Sequence, residues 1–366
     1  MADLMSLVQQ LVDSGQIQEL ARNPFAQFGT PRRPLLGASL LPERLVEDNL
    51  YRETSIRWRT IVALDGTRYS PAQKRADGQL VGEFLVELGH QDIAREMTGR
   101  DYDALLKLLD RNASMDAVAS ILRWVDVTVN QALVQRTEIQ RWQAIVDAKV
   151  VRVGDNGYEE EVEYPNPSNH RASAGGTWSS DQYDPYDDIV GMADLLADKG
   201  YTVGRIVTSR KVASILARNA NIAKRAAPVV REVGGEVVIG RTTLSGINAA
   251  LQADGLPPIE LYDATYEDMS GRHRYLPDDV FVMVADTGVD PAVAGDPDEG
   301  DTYLPETLGP LGYTAIGRAV GQAGPGRVIR LEAFENKPPR LEAEGWQTSL
   351  PVITEPEAIA VIKDIA

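Results

Sequence analysis

The chain contains no cysteine, and this absence removes several kinds of chemistry at once. Disulfide frameworks, thiolate metal sites and cysteine nucleophiles all require that residue. Histidine is scarce, and His90, His170 and His273 are too scattered to have metal-ligand spacing. Phosphate-binding glycine loops, nucleophile-elbow serines and zinc-helix motifs are missing as well. We therefore predict no catalytic residue, no cofactor and no bound metal, and we assign the histidines structural or surface roles.

Positive charge is also in short supply. Lysine and arginine together number 37 against 54 aspartates and glutamates, which gives a net charge of −17. Such a surface repels nucleic-acid phosphate and disfavours general DNA binding. No apolar run approaches a membrane span, and the N-terminus lacks signal-peptide features, so we expect neither insertion nor secretion. Hydrophobic residues still make up 43% of the 366 residues, enough for two or three folded subdomains.

The longest uninterrupted pattern runs from Ser114 to Lys149, where proline and glycine are absent. Its apolar residues recur mostly at steps of three and four, which places them on one side of a helix. Roughly 34 residues give a rod of about 50 Å, with Ser114 as N-cap, and predict a helical strut. A long core helix of an enzyme is the alternative. The apolar stripe comprises Met115, Val118, Leu122, Val125, Val129, Leu133, Ile139, Trp142 and Val146.

Residues 1–50 have the pattern of an arm. A short amphipathic stripe of Leu4, Leu7, Val8 and Leu11 stops at Gly15, and Ile17 with Leu20 is a candidate continuation. A helix this short is marginal alone, so we expect it to dock on another surface. A frayed terminus is the alternative.

The pattern of residues 51–98 predicts a long two-stranded hairpin that projects from the rest of the chain. Apolar residues alternate from Ile56 to Val62 and again from Phe84 to Leu88, and a polar, basic loop lies between them. Two strands with so little core material are unstable by themselves and would be stable on a neighbouring subunit. An ordinary hairpin at a domain edge is the alternative.

The second half alternates helices and strands. A tight hairpin is predicted over 150–162, a separate α/β unit over 185–330, and closing strands over 346–365. Asp184 followed by Pro185 is an N-cap with proline at the first helical position.

Two acidic clusters are the remaining candidates for chemistry. The cluster from Asp296 to Asp301 resembles a calcium loop, but Gly300 comes one position early and Thr307 falls where a bidentate glutamate is needed. We predict a solvated loop without an essential metal. The aspartates from Asp181 to Asp188 surround two tyrosines before a helix, and capping explains much of that cluster. The rival interpretation is a hydrolase that uses these carboxylates with a divalent ion.

The run G-G-T-W-S-S-D-Q-Y-D-P-Y-D-D-I at 175–189 resembles a segment of the lambda-like phage major capsid proteins, the protein E family. In that family a G-T-x-W stretch and a Y-D-P-x-D-D-I element lead from the peripheral domain into the axial domain. Further similarities follow in order, at 203–226, at the L-P-D-D turn and strand of 276–284, and at 349–365.

The resemblance implies an α+β protein with the tailed-phage capsid fold, also called the Hong Kong phage ninety-seven fold. That fold has a long spine helix, a peripheral domain, an axial domain, an extended β-hairpin loop and an N-terminal arm. The implied division is 1–50 N-terminal arm, 51–98 extended loop, 99–184 peripheral domain with the spine helix, 185–334 axial domain and 335–366 C-terminal strands of the peripheral domain.

The implied function is that of a major capsid protein, assembled in the host cytoplasm into hexamers and pentamers of the icosahedral head shell. The shell encloses double-stranded DNA without sequence-specific binding. Scaffold and portal proteins are expected partners, and a decoration protein is a candidate. A nanocompartment shell of the same fold and a metal-dependent α/β hydrolase are the alternatives. The expected intersubunit contacts are Trp58, Arg68, Lys74, Arg75 and Phe84.

Overall fold

The computed structural model is a mixed α+β protein. It describes residues 4–22, 35–47, 49–57, 79–110, 114–154, 159–226, 231–233, 236–238, 242–268, 270–286, 311–334 and 339–365. Its α-helices are α1 (Leu4–Asp13), α2 (Gln16–Arg22), α3 (Leu36–Leu40), α4 (Arg100–Asp110), α5 (Ser114–Val125), α6 (Gln131–Asp147), α7 (Pro185–Asp198), α8 (Arg210–Arg218), α9 (Ala220–Ala226) and α10 (Leu244–Ala253). Its strands are β1 (Glu43–Leu45), β2 (Leu50–Arg57), β3 (Gln79–Glu87), β4 (Gly89–Met97), β5 (Lys149–Val153), β6 (Glu159–Glu163), β7 (Arg171–Ser173), β8 (Thr202–Thr208), β9 (Arg231–Val233), β10 (Glu236–Val238), β11 (Ile259–Leu261), β12 (Thr265–Asp268), β13 (Gly271–Arg274), β14 (Phe281–Asp286), β15 (Gly312–Ile316), β16 (Val328–Phe334), β17 (Arg340–Ile353) and β18 (Ile359–Lys363).

The long strand β17 organises the first of two five-stranded sheets. Along one side it pairs antiparallel with β16 and then with β15, and along the other side it pairs antiparallel with β4. Strand β1 joins parallel to β15. The N-terminal helices α1 and α2 pack against β16 with their predicted stripe buried, which confirms the stripe and its continuation.

The second sheet has the strand order β11-β8-β14-β18-β7. Its strand β14 is buried on both faces. Phe281 and Met283 face the core beneath α7 and α8, whereas Val282 and Val284 join the core around Trp142. Covering both faces of the strand explains its unbroken apolar run. The strands β7 and β18 bring chain from outside 185–334 into this sheet.

The long helix exists, but it is not an uninterrupted α-helix as the periodicity predicted. Residues 126–130 form a π-helical turn between α5 and α6, and Val129 there packs directly over Gly345 of β17. A side chain on Gly345 would collide with Val129, so glycine permits the close approach. The inserted turn rotates the buried face, because a π-bulge adds one residue to the helical repeat. Met115 is 79% exposed, because the face that α5 buries is centred on Ala117, Ile121 and Val125, and its place in the predicted stripe is wrong.

Most of the other predicted elements are present. The helix α7 begins as predicted, with the Asp184 side chain accepting a hydrogen bond from the backbone N–H of Tyr186 and Pro185 following. The hairpin β5–β6 and the closing strands β17 and β18 are confirmed. Within the described residues, no helix is long and apolar enough to cross a membrane.

Candidate assembly site

Glu138 of α6 is a fully buried carboxylate with four donors around it. Its Oε1 accepts hydrogen bonds from the Gly37 backbone nitrogen at 2.7 Å, Trp142 Nε1 at 2.8 Å and the Tyr262 hydroxyl at 2.9 Å. Its Oε2 lies 3.3 Å from Arg141 Nη1, one helical turn away. A carboxylate in the core is tolerated only when its charge is balanced and its lone pairs are filled, and this one meets both conditions.

Arg141 extends the same contact toward the N-terminal segment and the long sheet. Its Nε donates to Thr314 Oγ1 at 2.8 Å, and its Nη2 lies 3.3 Å from Glu43 Oε1. Glu43 also accepts from Arg327 Nη2 at 3.2 Å. The spine is thus joined by charge-assisted bonds to β1 and β15, and these bonds are stronger than neutral ones.

A network of neutral hydrogen bonds connects α6 to β4, the strand that follows the β2–β3 hairpin. Gln91 of β4 donates to Gln140 Oε1 at 2.9 Å and accepts from Gln347 Nε2. Gln347 Nε2 also donates to Thr137 Oγ1 at 2.8 Å. We call the set Thr137, Glu138, Gln140 and Arg141 the spine polar cluster. It connects the N-terminal segment, β4, the long sheet and the second sheet through one helix.

Aromatic rings complete the connection to the second sheet. Trp142 stacks on Tyr262 with ring centroids 5.1 Å apart, and Tyr262 lies 6.4 Å from Tyr275. Burial, together with the nearby negative charge of Glu138, raises the pKa of Tyr262 above its usual value. The tyrosine therefore remains a neutral donor to Glu138 at all physiological pH values.

The hairpin β2–β3 leaves the body of the protein at a fixed root. Arg152 of β5 donates from Nη2 to the Glu87 carbonyl at 3.1 Å and from Nη1 to Glu160 at 2.8 Å. The same guanidinium lies against Gly89, where a Cβ would come within 2.7 Å of Arg152 Nε. The Asn49 side chain exchanges two hydrogen bonds with the backbone of Arg318, at 2.9 and 2.7 Å. These contacts fix the direction in which the hairpin leaves.

The five predicted intersubunit contacts are not brought together in the described structure. Trp58, Arg68, Lys74 and Arg75 lie outside the described residues. Phe84 lies in β3, opposite Glu53 of β2 in the antiparallel register. Their role in assembly stays a prediction. The residues that sequence reasoning missed are Glu138, Arg141 and Arg152. The sequence did contain a signal for Glu138 and Arg141. The run T-E-I-Q-R-W at 137–142 interrupts the apolar residues of the spine helix with polar ones.

The aspartate cluster at 181–188 joins a loop to a helix. Asp188 accepts from Trp178 Nε1 at 2.7 Å, from the Tyr183 hydroxyl at 2.5 Å and from the Gly175 nitrogen at 3.2 Å. Burial and the bond to Asp188 raise the pKa of Tyr183 to about 12. Among the described residues, no group of three or more His, Asp or Glu side chains is arranged to hold a metal ion. The motif thus fixes the entry into α7.

We expect Asp188→Ala to loosen this junction, because the buried Trp178 indole loses its hydrogen-bond acceptor. The cost is about 1–3 kcal/mol, the usual penalty for an unsatisfied buried donor. Tryptophan emission should shift to longer wavelength at a lower urea concentration than in the wild type. Asp187→Ala, one residue earlier and exposed, is the control. Equal urea midpoints for the two variants would contradict the assignment.

Solved structures of similar shape include capsid proteins. A protein described as the capsid protein of a prophage in E. coli CFT073 matches with a TM-score of 0.56 at 14% identity, covering 99% of each chain. A chain from Mycobacterium phage Patience gives 0.45 at 15% identity, covering 100% of this chain and 89% of that one. Among curated proteins, none matches the chain. The first similarity shows the fold: a mixed α+β capsid fold of the Hong Kong phage ninety-seven type.

The sequence itself then specifies the family. Residues 95–294 match the family described as phage major capsid protein E, and the chain belongs to that family. It is a major capsid protein of a tailed phage, a structural and non-enzymatic subunit of the icosahedral shell. Its place is the virion capsid, where it associates with copies of itself. The resemblance of the 175–189 motif to the protein E family is confirmed, and the hydrolase interpretation is wrong.

Proposed function

We propose that the hairpin β2–β3, within the predicted loop 51–98, reaches over an adjacent subunit in hexamers and pentamers of the shell, whereas Gly89–Met97 of that range is strand β4 of the long sheet. The observation that carries this is the isolation of β2 and β3, which pair only with each other among the described strands. A two-stranded ribbon is marginal in water without a further surface. The root fixed by Arg152 and Asn49 supports a ribbon directed away from its own subunit.

The proposed division of the subunit keeps the boundaries implied by the resemblance. The arm is 1–50, the peripheral domain is 99–184 with 335–366, and the axial domain is 185–334. In this proposal the axial domain surrounds the centre of each hexamer or pentamer. Most of the core cluster beneath α7 and α8 comes from 185–334, which supports an axial unit, and Trp178, Ala360, Ile362 and Ile365 of the proposed peripheral domain complete that cluster.

The same proposal includes the partners of the shell. Scaffold and portal proteins take part in assembly, with a decoration protein as a candidate, and the finished shell encloses double-stranded DNA. The net charge of −17 supports enclosure without tight binding, because like charges on the wall and the packed DNA repel each other.

We expect Lys74→Glu/Arg75→Glu to leave the subunit folded and to lower shell yield at least tenfold. The basic loop residues suit the acidic surface of a neighbouring subunit, and reversing them converts attraction into repulsion. The loss should be greatest at low salt, where repulsion is least screened. Sedimentation and negative-stain microscopy measure the shells, and a circular-dichroism melt separates failed assembly from misfolding.

The matched control is Lys74→Arg/Arg75→Lys, which keeps both charges and should assemble normally. Shells of wild-type yield and thermal stability from the charge-reversed protein would rule out an intersubunit contact at the loop.

A further inference from the structure

The α/β unit carries two long blocks of opposite charge. Residues 199–231 contain no aspartate or glutamate, and residues 275–317 contain no lysine or arginine. Separation on this scale is unexpected for a solvated surface, where signs are normally interspersed. The first block contains Lys199, Arg205, Arg210, Lys211, Arg218, Lys224, Arg225 and Arg231. The second contains Asp278, Asp279, Asp286, Asp290, Asp296, Asp298, Glu299, Asp301 and Glu306.

Part of the basic block is neutralised within the subunit. Lys199 pairs with Glu357 at 3.2 Å, Arg205 with Glu260 at 2.7 Å and Arg225 with Asp184 at 2.9 Å. The other cations of α8 and α9 are exposed. We call Arg210, Lys211, Arg218 and Lys224 the basic surface.

The basic surface lacks strong partners in the described part of the chain. The Arg210 side chain is 80% exposed, and its Nε lies 3.6 Å from Asp263 Oδ2. Lys211, Arg218 and Lys224 form no ion pair with a carboxylate of the described residues, and Lys224 only approaches Asn221 Oδ1 at 3.5 Å. An unneutralised cationic surface on a protein of net charge −17 calls for an anionic partner.

The helix α8 exposes its basic residues to solvent, although two of them lie where the helix dipole disfavours positive charge. Val212, Ala213 and Leu216 are buried, and Lys211 and Arg218, seven residues apart, share the exposed side. Arg210 and Lys211 occupy the first turn, where the helix dipole disfavours positive charge. Two cations at that end are not explained by the stability of the helix, which is capped by Ser209.

We infer that the basic surface binds the acidic segment, residues 287–306, of the adjacent copy in the ring. This inference rests on the proposed axial position of the unit. The acidic segment begins where β14 ends at Asp286, and the chain is described again from Leu311. The chain between Asp286 and Leu311 is long enough for its middle to reach up to ~40 Å from those two residues. That reach is sufficient to contact a neighbouring copy. Six of the nine acids of the second block lie in it.

A second copy fits this surface better than DNA does. Each copy offers one basic surface and one acidic segment, so a head-to-tail ring pairs all of them with none left over. DNA would bring a long polyanion close to the carboxylates that cover the rest of the subunit. A ring held by such pairs should form less readily as salt rises.

The test uses two opposite charge reversals in the full-length protein. We expect Lys211→Glu/Arg218→Glu and Asp296→Lys/Asp298→Lys each to lower ring formation at least tenfold, as measured by native mass spectrometry and negative-stain microscopy. The circular-dichroism melt of each should stay at the wild-type temperature. Lys107→Glu/Arg123→Glu, the same change of charge at exposed positions of α4 and α5, should form rings normally.

Mixing the two defective variants in equal amounts should restore six-membered rings. In an alternating ring, the two glutamates introduced into one surface face the two lysines introduced into the neighbouring segment. Each remaining contact joins an unchanged surface to an unchanged segment. Five-membered rings should remain rare in the mixture, because an odd ring keeps one mismatched contact. The protein carrying all four substitutions should form both rings without mixing.

Four outcomes would overturn the inference. Rescue by the four substitutions but not by mixing would place the contact within one subunit. Normal rings from Lys211→Glu/Arg218→Glu, with weaker retention of linear duplex DNA in a gel-shift assay, would make DNA the partner. Normal rings from both variants alongside normal wild-type rings would overturn this inference alone, whereas wild-type protein that forms no ring would overturn the proposed function with it.

Discussion

Val125→Asp is expected to leave no assembled shells and little soluble subunit. Val125 is fully buried at the junction of α5 and the π turn, in the core cluster shared with the N-terminal helices and strands β16 and β17. An aspartate there has no cation within the cluster to balance it. Burying an unpaired carboxylate costs roughly 3–5 kcal/mol, a large part of the total stability of a domain.

The control for this prediction lies two residues further along the same helix. Val127 is 47% exposed, so Val127→Asp introduces the same side chain into water and should change stability by less than about 0.5 kcal/mol. Soluble yield, urea unfolding followed by circular dichroism, and particle counts by microscopy are the measurements. Wild-type yields of shells from Val125→Asp would mean that the spine helix does not bury this face.

Glu138→Leu is expected to destabilise the subunit by about 3–5 kcal/mol. Leucine has a suitable size, but the fully buried Arg141 loses its fully buried partner and keeps the partly exposed Glu43 and the Thr314 hydroxyl. The Gly37 nitrogen, the Trp142 indole and the Tyr262 hydroxyl lose their acceptor at the same time. Because these groups belong to different segments, shell yield should fall with stability.

Two further variants test whether the cost comes from the broken pair. Glu19→Leu makes the same substitution at an exposed helical position and should be nearly neutral. Glu138→Leu/Arg141→Leu removes both charges, and its cost should fall short of the sum of the single variants by about 1 kcal/mol or more. Urea midpoints of isolated subunits provide the comparison. Strict additivity would show that Glu138 and Arg141 act independently.

The sequence alone determined the features that depend on short-range pattern. The apolar stripe of α1, the stripe of the spine apart from Met115, the Asp184–Pro185 start of α7 and the pairing of β5 with β6 follow from a few consecutive residues. Each of these elements is observed. The motif at 175–189 was informative for the same reason, because Trp178, Tyr183 and Asp188 are close enough along the chain to meet in a single loop.

Only the tertiary structure revealed the features that depend on contacts between residues far apart in the sequence. Periodicity does not predict the π turn, and the turn places Val129 against Gly345, more than two hundred residues away. The same holds for Glu138, whose donors come from Gly37 and Tyr262, and for Arg152, which fixes the hairpin through the Glu87 carbonyl. A lone glutamate or arginine in a sequence is normally solvated. Only the packing of distant segments around these charges buries them, and burial makes their pairing decisive for stability.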